Sequence, residues 1–200
     1  MPELPIQRVG IFGGTFDPPH FGHLVAASEA AAQCLLDEVV FVPAGDPWQK
    51  QHRRITDAAS RLALTRLAAE PDPRFRVSTC DIDRPGHTYA VDTVADVRAE
   101  YDHPVDLYFI FGADSLENLR TWHRVDELCK VVKFIAVNRP GHSRREVDTS
   151  TGIEVEFVDM PGVGISSSEC RRRVANAEPI RYLVPDAVDD YIAERGLYRS

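Results

Sequence analysis

Val9-Gly10-Ile11-Phe12-Gly13-Gly14-Thr15-Phe16-Asp17-Pro18-Pro19-His20-Phe21-Gly22-His23-Leu24 is the stretch that decides the fold. Its apolar start, Arg8 to Phe12, runs into Gly13-Gly14, as a buried central strand of a parallel sheet does. The Ala- and Leu-rich residues from Phe21 to Leu36 then read as a helix. Glycine at the end of a strand lets backbone N–H groups approach an anion closely. The helix that opens near Pro19 to Phe21 adds unpaired N–H donors and the positive end of its dipole. His20 and His23 are three apart, so they share one helix face with Cβ atoms roughly 5–6 Å apart. Two imidazoles so placed can reach one phosphate or two adjacent ones. Gly22 costs the helix up to ~1 kcal/mol relative to Ala, which close approach of a ligand or a neighbouring backbone would explain.

Working outward, Glu38 to Val42 is a second strand, so the chain begins β-α-β and implies a right-handed crossover. Helical periodicity covers Asp57 to Glu70, and Phe75 to Ser78 is a third strand. Val91 to Tyr101 is a helix that opens after His87-Thr88-Tyr89. Asp106 to Phe111 is a buried strand that runs into Gly112-Ala113-Asp114-Ser115, a turn and helix start. A short helix is expected around Val125 to Lys130, then strands at Val131–Val137 and Ile153–Val158. Ser166 to Asn176 and a segment from Pro185-Asp186 to just before Gly196 complete the helices. This alternation predicts a single α/β domain over 1–200, a Rossmann-like open, mainly parallel sheet with helices on both faces. The C-terminal helical segment, about 166–200, is expected to pack on it. Residues 43–56 and 138–152 are expected to be long connections, the first a candidate binding loop.

Composition narrows the function classes. The 200 residues are 44% hydrophobic and 27% charged, enough for a real core, with a formal net charge of -8. A nucleic-acid binder would show a basic balance, so no nucleic-acid partner is expected. A small anionic ligand remains compatible, because helix N-termini and local Arg or Lys can reverse the field in a pocket. Four cysteines, Cys34, Cys80, Cys129 and Cys170, form no CxxC pair and read as reduced thiols rather than a disulfide or zinc framework. With neither a signal-peptide pattern nor a run of ~20 apolar residues, a cytoplasmic protein without a membrane partner is expected. GxxxxGK[ST] and GxGxxG are both absent, so neither a P-loop nor a dinucleotide fingerprint accounts for the glycines. HxxH without a nearby Glu or third ligand is weak evidence for zinc.

The second motif lies near the end. In Ile165-Ser166-Ser167-Ser168-Glu169-Cys170-Arg171, Ser166 and Glu169 make a capping-box pattern, and a capped helix start is also an anion site. The two motifs together resemble the signatures of the HxGH nucleotidyltransferases, GGTFDPPHFGH for the first and ISSTxxR for the second, with Ser168 where Thr is usual. Within that superfamily the chain most resembles the bacterial nicotinate-nucleotide adenylyltransferases, over nearly its full length. The PWQK loop, the HTYAVDT segment, GADS and Trp122 all contribute.

The resemblance implies transfer of AMP from ATP to the 5′-phosphate of nicotinate mononucleotide, with Mg²⁺ delivered by the ATP phosphates and none held by protein side chains. It assigns His20, His23 and Arg171 to catalysis, and adds Gly13, Gly14, Thr15, Phe16, Gly112, Asp114, Ile165, Ser166 and Ser167 to the ATP site. Lys50, Thr88, Tyr89, Asp114 and Trp122 go to the acceptor, with the nicotinate carboxylate on backbone N–H groups at a helix start. Trp48 and Trp122 both remain candidates for stacking on the pyridine ring, and Ala90 stands where a second Thr is common. Asp17 is open between turn formation and ligand contact, and Arg172 and Arg173 match no family position and read as solvated. Open alternatives are another acceptor, nicotinamide mononucleotide or phosphopantetheine, and a nucleotide-binding protein without catalysis. A homo-oligomer is left open.

Overall fold

The computed structural model describes residues 6–46, 55–138 and 153–199. Six strands form one sheet, β1 (Gln7–Gly14), β2 (Glu38–Pro43), β3 (Phe75–Val77), β4 (Val105–Gly112), β5 (Lys133–Asn138) and β6 (Val155–Asp159). Their spatial order is β3-β2-β1-β4-β5-β6 and every neighbouring pair is parallel. The sheet is thus wholly rather than mainly parallel. The order reverses between β1 and β4, so the crevice at their carboxyl ends is where such a sheet binds ligands. Gly13 and Gly14 end β1, and Gly112 ends β4.

The helices are α1 (Phe21–Gln33), α2 (Ala58–Ala69), α3 (Cys80–Asp83), α4 (Ala90–Ala99), α5 (Val125–Leu128), α6 (Ser167–Ala175) and α7 (Asp186–Arg195). The period-2 alternation of the strands sends side chains to two covered faces. On one, Phe12, Phe41, Ile110, Ile135 and Val158 meet Ala26, Ala27, Ala30 and Ala31 of α1. A buried face of alanines and Gly22 lets this helix lie close to the strands. On the other, Ile11, Val40, Phe109 and Phe134 meet Val91, Val94 and Val97 of α4 and Leu128 of α5. A third cluster joins Leu64 and Ala68 of α2 to Cys170, Val188 and Ile192, so α6 and α7 pack on α2.

Three expectations about the elements need correction. The nine residues after β4, Ala113–Thr121, form a 3₁₀ helix, and α3 has no counterpart in the periodicity. The strand expected from Val131 begins at Lys133, because the N–H groups of Val131 and Val132 still close the turn onto the Leu128 carbonyl. The last strand is shifted from Ile153–Val158 to Val155–Asp159, in register with β5 from Phe134↔Val155 to Asn138↔Asp159. Among the described residues no helix is long and apolar enough to cross a membrane.

Candidate active site

The turn after β1 is fixed by its own packing. Phe16 takes a left-handed φ of 48° and buries its ring against Phe12, Phe41 and His23. The Asp17–Pro18 peptide is cis. The chain then reaches His20, the extended N-cap residue of α1, whose side chain is only 2% exposed. The His20 N–H donates to Nδ1 of His23 at 3.2 Å, which leaves Nε2 as the proton-bearing nitrogen of a neutral His23 ring. The two rings lie 3.8 Å apart between centroids, tilted by 33°. Gly22 is required by this arrangement: a Cβ there would sit 2.9 Å from the His20 ring. The close neighbour is therefore the histidine itself, with the Ile165 carbonyl next at 3.7 Å.

The second motif meets the first across the crevice. Ser166 caps α6 by accepting from the Glu169 N–H at 3.2 Å. The other half of the expected capping box is replaced, because the Glu169 carboxylate pairs with Arg172 and Arg173. Those two arginines are accordingly ion-paired rather than simply solvated, Arg172 also to Glu178. Ser167 Oγ donates to the Pro18 carbonyl at 2.8 Å, and Arg171 donates to the Asp17 carbonyl at 2.5 Å and to Ser168 Oγ at 3.3 Å. These bonds bring the N-termini of α1 and α6 to one place.

What they enclose is a cavity of about 390 Å³. Gly13, Gly14, Thr15, Phe16, His20, His23, Gly112, Asp114, Ser166, Ser167 and Arg171 line it. Gly112 fits because Asp114 folds over it, its Oδ1 2.5 Å from where a Cβ would stand. Ile165 is not in the lining; its side chain packs on the third apolar cluster. Trp48 and Lys50 lie outside the described residues. Among the described residues no group of three or more His, Cys, Asp or Glu could hold a metal.

Of the residues assigned to the acceptor, Asp114 lines this cavity, whereas Thr88, Tyr89 and Trp122 do not. Thr88 is tied to the loop after β2 through its N–H to the Asp46 carbonyl at 3.1 Å, and His87 pairs with the Asp46 carboxylate at 3.1 Å. One N–H expected to face a carboxylate is therefore already engaged. The Thr88 hydroxyl is buried without a hydrogen-bond partner among the described residues. Tyr89 is the N-cap of α4 and stacks on His123 at 4.3 Å. Trp122 is partly buried, and its ring meets Phe109 and Phe111 edge-on at 5.5 and 5.8 Å.

Residues 11–173 match the family model described as cytidylyltransferase-like. The probable nicotinate-nucleotide adenylyltransferase of Saccharopolyspora erythraea is 52% identical, over 97% of this chain and 91% of that protein. Its namesake from Streptomyces coelicolor is 52% identical over 94% and 99%. The chain belongs to the nicotinate-nucleotide adenylyltransferase family. The fold is also that of the solved Plasmodium falciparum nicotinic acid mononucleotide adenylyltransferase complexed with NaAD, with a TM-score of 0.78 and 18% identity, covering 96% of this chain and 97% of that one.

Two residues that neither motif contains complete this adenylyltransferase site. Arg61 of α2 is 1% exposed and donates to three carbonyls, Thr56 at 2.9 Å, Thr15 at 3.0 Å and Gly45 at 3.0 Å. It clasps the turn after β1, the loop after β2 and the lead-in to α2. Burial pushes its guanidinium down, opposed first by the charge of Asp17 and then by that of Asp57. Tyr198, beyond α7, donates to Asp17 Oδ1 at 2.7 Å. Asp17 is 5% exposed, and its Oδ2 accepts from the Thr56 N–H at 3.3 Å, so its carboxylate is chiefly a node of the scaffold. Helical periodicity reads Arg61 as one more polar position, and Tyr198 carries no motif; the bonding pattern is what reveals them.

Proposed function

We propose that this chain carries out adenylyl transfer in NAD biosynthesis with the residues that converge on the crevice between β1 and β4. An oxygen of the 5′-phosphate of nicotinate mononucleotide attacks the α-phosphorus of ATP. The bond to the β-phosphate oxygen breaks, and its electron pair leaves with pyrophosphate. The attacking phosphate is ionised at neutral pH, so no protein base has to remove a proton. Catalysis then consists of aligning two polyanions and stabilising charge at the α-phosphate.

The observation that carries this assignment is the meeting of His20, His23, Arg171 and two helix N-termini at one cavity. Gly13, Gly14, Thr15 and Phe16 supply backbone donors, and His20, His23 and Arg171 contact the transferring and leaving phosphates. Gly112 and Asp114 border the ribose. Mg²⁺ arriving with ATP suits a lining poor in carboxylates, since such ions are usually held through phosphate oxygens and water and neutralise part of the triphosphate charge. Of the lining acids, Asp17 is engaged by Tyr198 and the Thr56 N–H. Lys50 is assigned to the acceptor phosphate from its place in the motif alone.

On the acceptor side, the nicotinate carboxylate would lie at the start of α4, on N–H groups deeper in the first turn than that of Thr88. The unsatisfied Thr88 hydroxyl and the Tyr89 ring support that placement. The same reading puts the chain in a reducing cytoplasm with small-molecule partners, which suits four unpaired thiols.

Pyrophosphate release with ATP, Mg²⁺ and each of nicotinate mononucleotide, nicotinamide mononucleotide and phosphopantetheine tests the proposal. The acid nucleotide should turn over fastest, and a wide preference for the amide would overturn the carboxylate placement. His20→Ala should lower kcat by about 10²–10³ with ATP binding retained, the range seen when one transition-state donor is removed. Turnover within a few-fold of wild type would refute the role of His20.

A further inference from the structure

We propose that Tyr198 is a positioning residue for Arg171 and acts through the Asp17 carboxylate, an inference that rests on the adenylyl-transfer reading. Arg171 reaches the cavity over a short path of acceptors: the Asp17 carbonyl at 2.5 Å, Ser168 Oγ at 3.3 Å and the Asp17 carboxylate at 4.0 Å. Two of these belong to Asp17, so the orientation of that residue steers the guanidinium. Asp17 Oδ2 has the Thr56 N–H, and Oδ1 has the Tyr198 hydroxyl at 2.7 Å, from 181 residues away. Removing the hydroxyl leaves a buried carboxylate oxygen without its donor, free to turn toward Arg171 and draw it off its place.

The backbone points the same way. Tyr198 holds a φ of 63°, a region that a bulky L residue rarely adopts, so its side chain is carried on a specifically shaped C-terminal turn. Burial, followed by the charge of Asp17, pushes the phenol up. Tyr198 therefore remains protonated and is the donor in this bond.

The test is a double-mutant cycle with Tyr198→Phe, which keeps the ring, and Arg171→Lys, read by steady-state pyrophosphate release and by thermal midpoint. Tyr198→Phe should lower kcat/KM by about tenfold, the effect of losing one hydrogen bond to a charged group. The double variant should be no slower than Arg171→Lys alone. Losses that multiply, or an unchanged kcat/KM in Tyr198→Phe, would overturn the proposal, since a purely structural contact would move the midpoint without coupling to Arg171. Asp17→Asn supplies a second cycle and should show the same lack of additivity with Tyr198→Phe. If the wild type releases no pyrophosphate with nicotinate mononucleotide, the adenylyl-transfer reading fails. Calorimetric affinity for a non-hydrolysable ATP analogue, measured on the same four proteins, then decides the positioning role on its own.

Discussion

Replacing Arg61 with methionine should destabilise this protein more than any surface change. The side chain is buried, and each of its three guanidinium nitrogens donates to a main-chain carbonyl, those of Thr15, Gly45 and Thr56. Methionine fills similar space and offers no donor. A buried acceptor stripped of its donor costs ~1–3 kcal/mol, so three would cost roughly 3–9 kcal/mol. Part of this is offset, because a guanidinium no longer has to be desolvated, and burial is the largest influence on Arg61. Breaking a buried charged contact typically costs ~3–5 kcal/mol, which is the loss expected of Arg61→Met. Against a total stability of ~5–15 kcal/mol this is a large fraction. At roughly 2–4 °C per kcal/mol for a protein of this size, the midpoint should fall by roughly 6–20 °C. Calorimetry on the wild type, Arg61→Met and Arg61→Lys measures it, with the lysine variant in between because an ammonium cannot span the fork. A drop under about 3 °C in Arg61→Met would refute the reasoning, since the carbonyls must then be finding other donors.

The remaining predictions are smaller. Gly22→Ala should leave the thermal midpoint nearly unchanged, since up to ~1 kcal/mol of helix propensity offsets the strain. Its Cβ would press on the His20 ring, so kcat should fall by about 10²-fold, and wild-type turnover would remove His20 from the chemistry. Glu169 is held down at about 2 by Arg172 and Arg173, below its unfolded value of 4.5. Its contribution is therefore present above that unfolded value and lost as pH falls toward the folded one. The midpoint difference between wild type and Glu169→Gln should shrink over that window, and a difference that grows on acidification would contradict the sign. Burial pushes the thiols of Cys34, Cys80 and Cys170 up to about 12, 11 and 11, and raises that of Cys129. All four should label slowly at mildly alkaline pH in the native protein and fully after denaturation; one fast thiol would show an opened core.

The parts of the site legible in the sequence are those whose residues are neighbours in the chain. Gly13 to His23 is one strand, one turn and one helix start, so spacing alone places both imidazoles on the same face. Ser166 and Arg171 are likewise set by the geometry of a capped helix. The alternation of strands with helices predicted a sheet covered on both faces, and Ile11 and Phe12 do point into the two opposite clusters. Arg61 was not legible, because its partners lie in three separate loops and only the folded chain brings their carbonyls together. Asp17 could be read as a turn former but not as the partner of Tyr198.

The proposed acceptor side resisted for a related reason. Thr88 before α4 and Trp122 after the 3₁₀ helix sit on different crossovers, and Thr88 is tied to Asp46 on a third. Each motif names a residue type, whereas the direction of each side chain depends on what packs against it from another crossover. Trp122 illustrates this: Phe109 and Phe111 alternate onto the same face of β4, and an aromatic ring at that edge gains more from them than from water. Thr88 shows the converse, since a bond to Asp46 sets its backbone while its buried hydroxyl has no hydrogen-bond partner among the described residues. The cavity at the end of β1 is thus built largely by two contiguous motifs joined through Ser167 and Arg171, whereas the proposed acceptor side draws on separate loops. Substitutions on those loops can alter which acceptor binds without disturbing the geometry of His20, His23 and Arg171, so one phosphate-transfer scaffold can serve different acceptors.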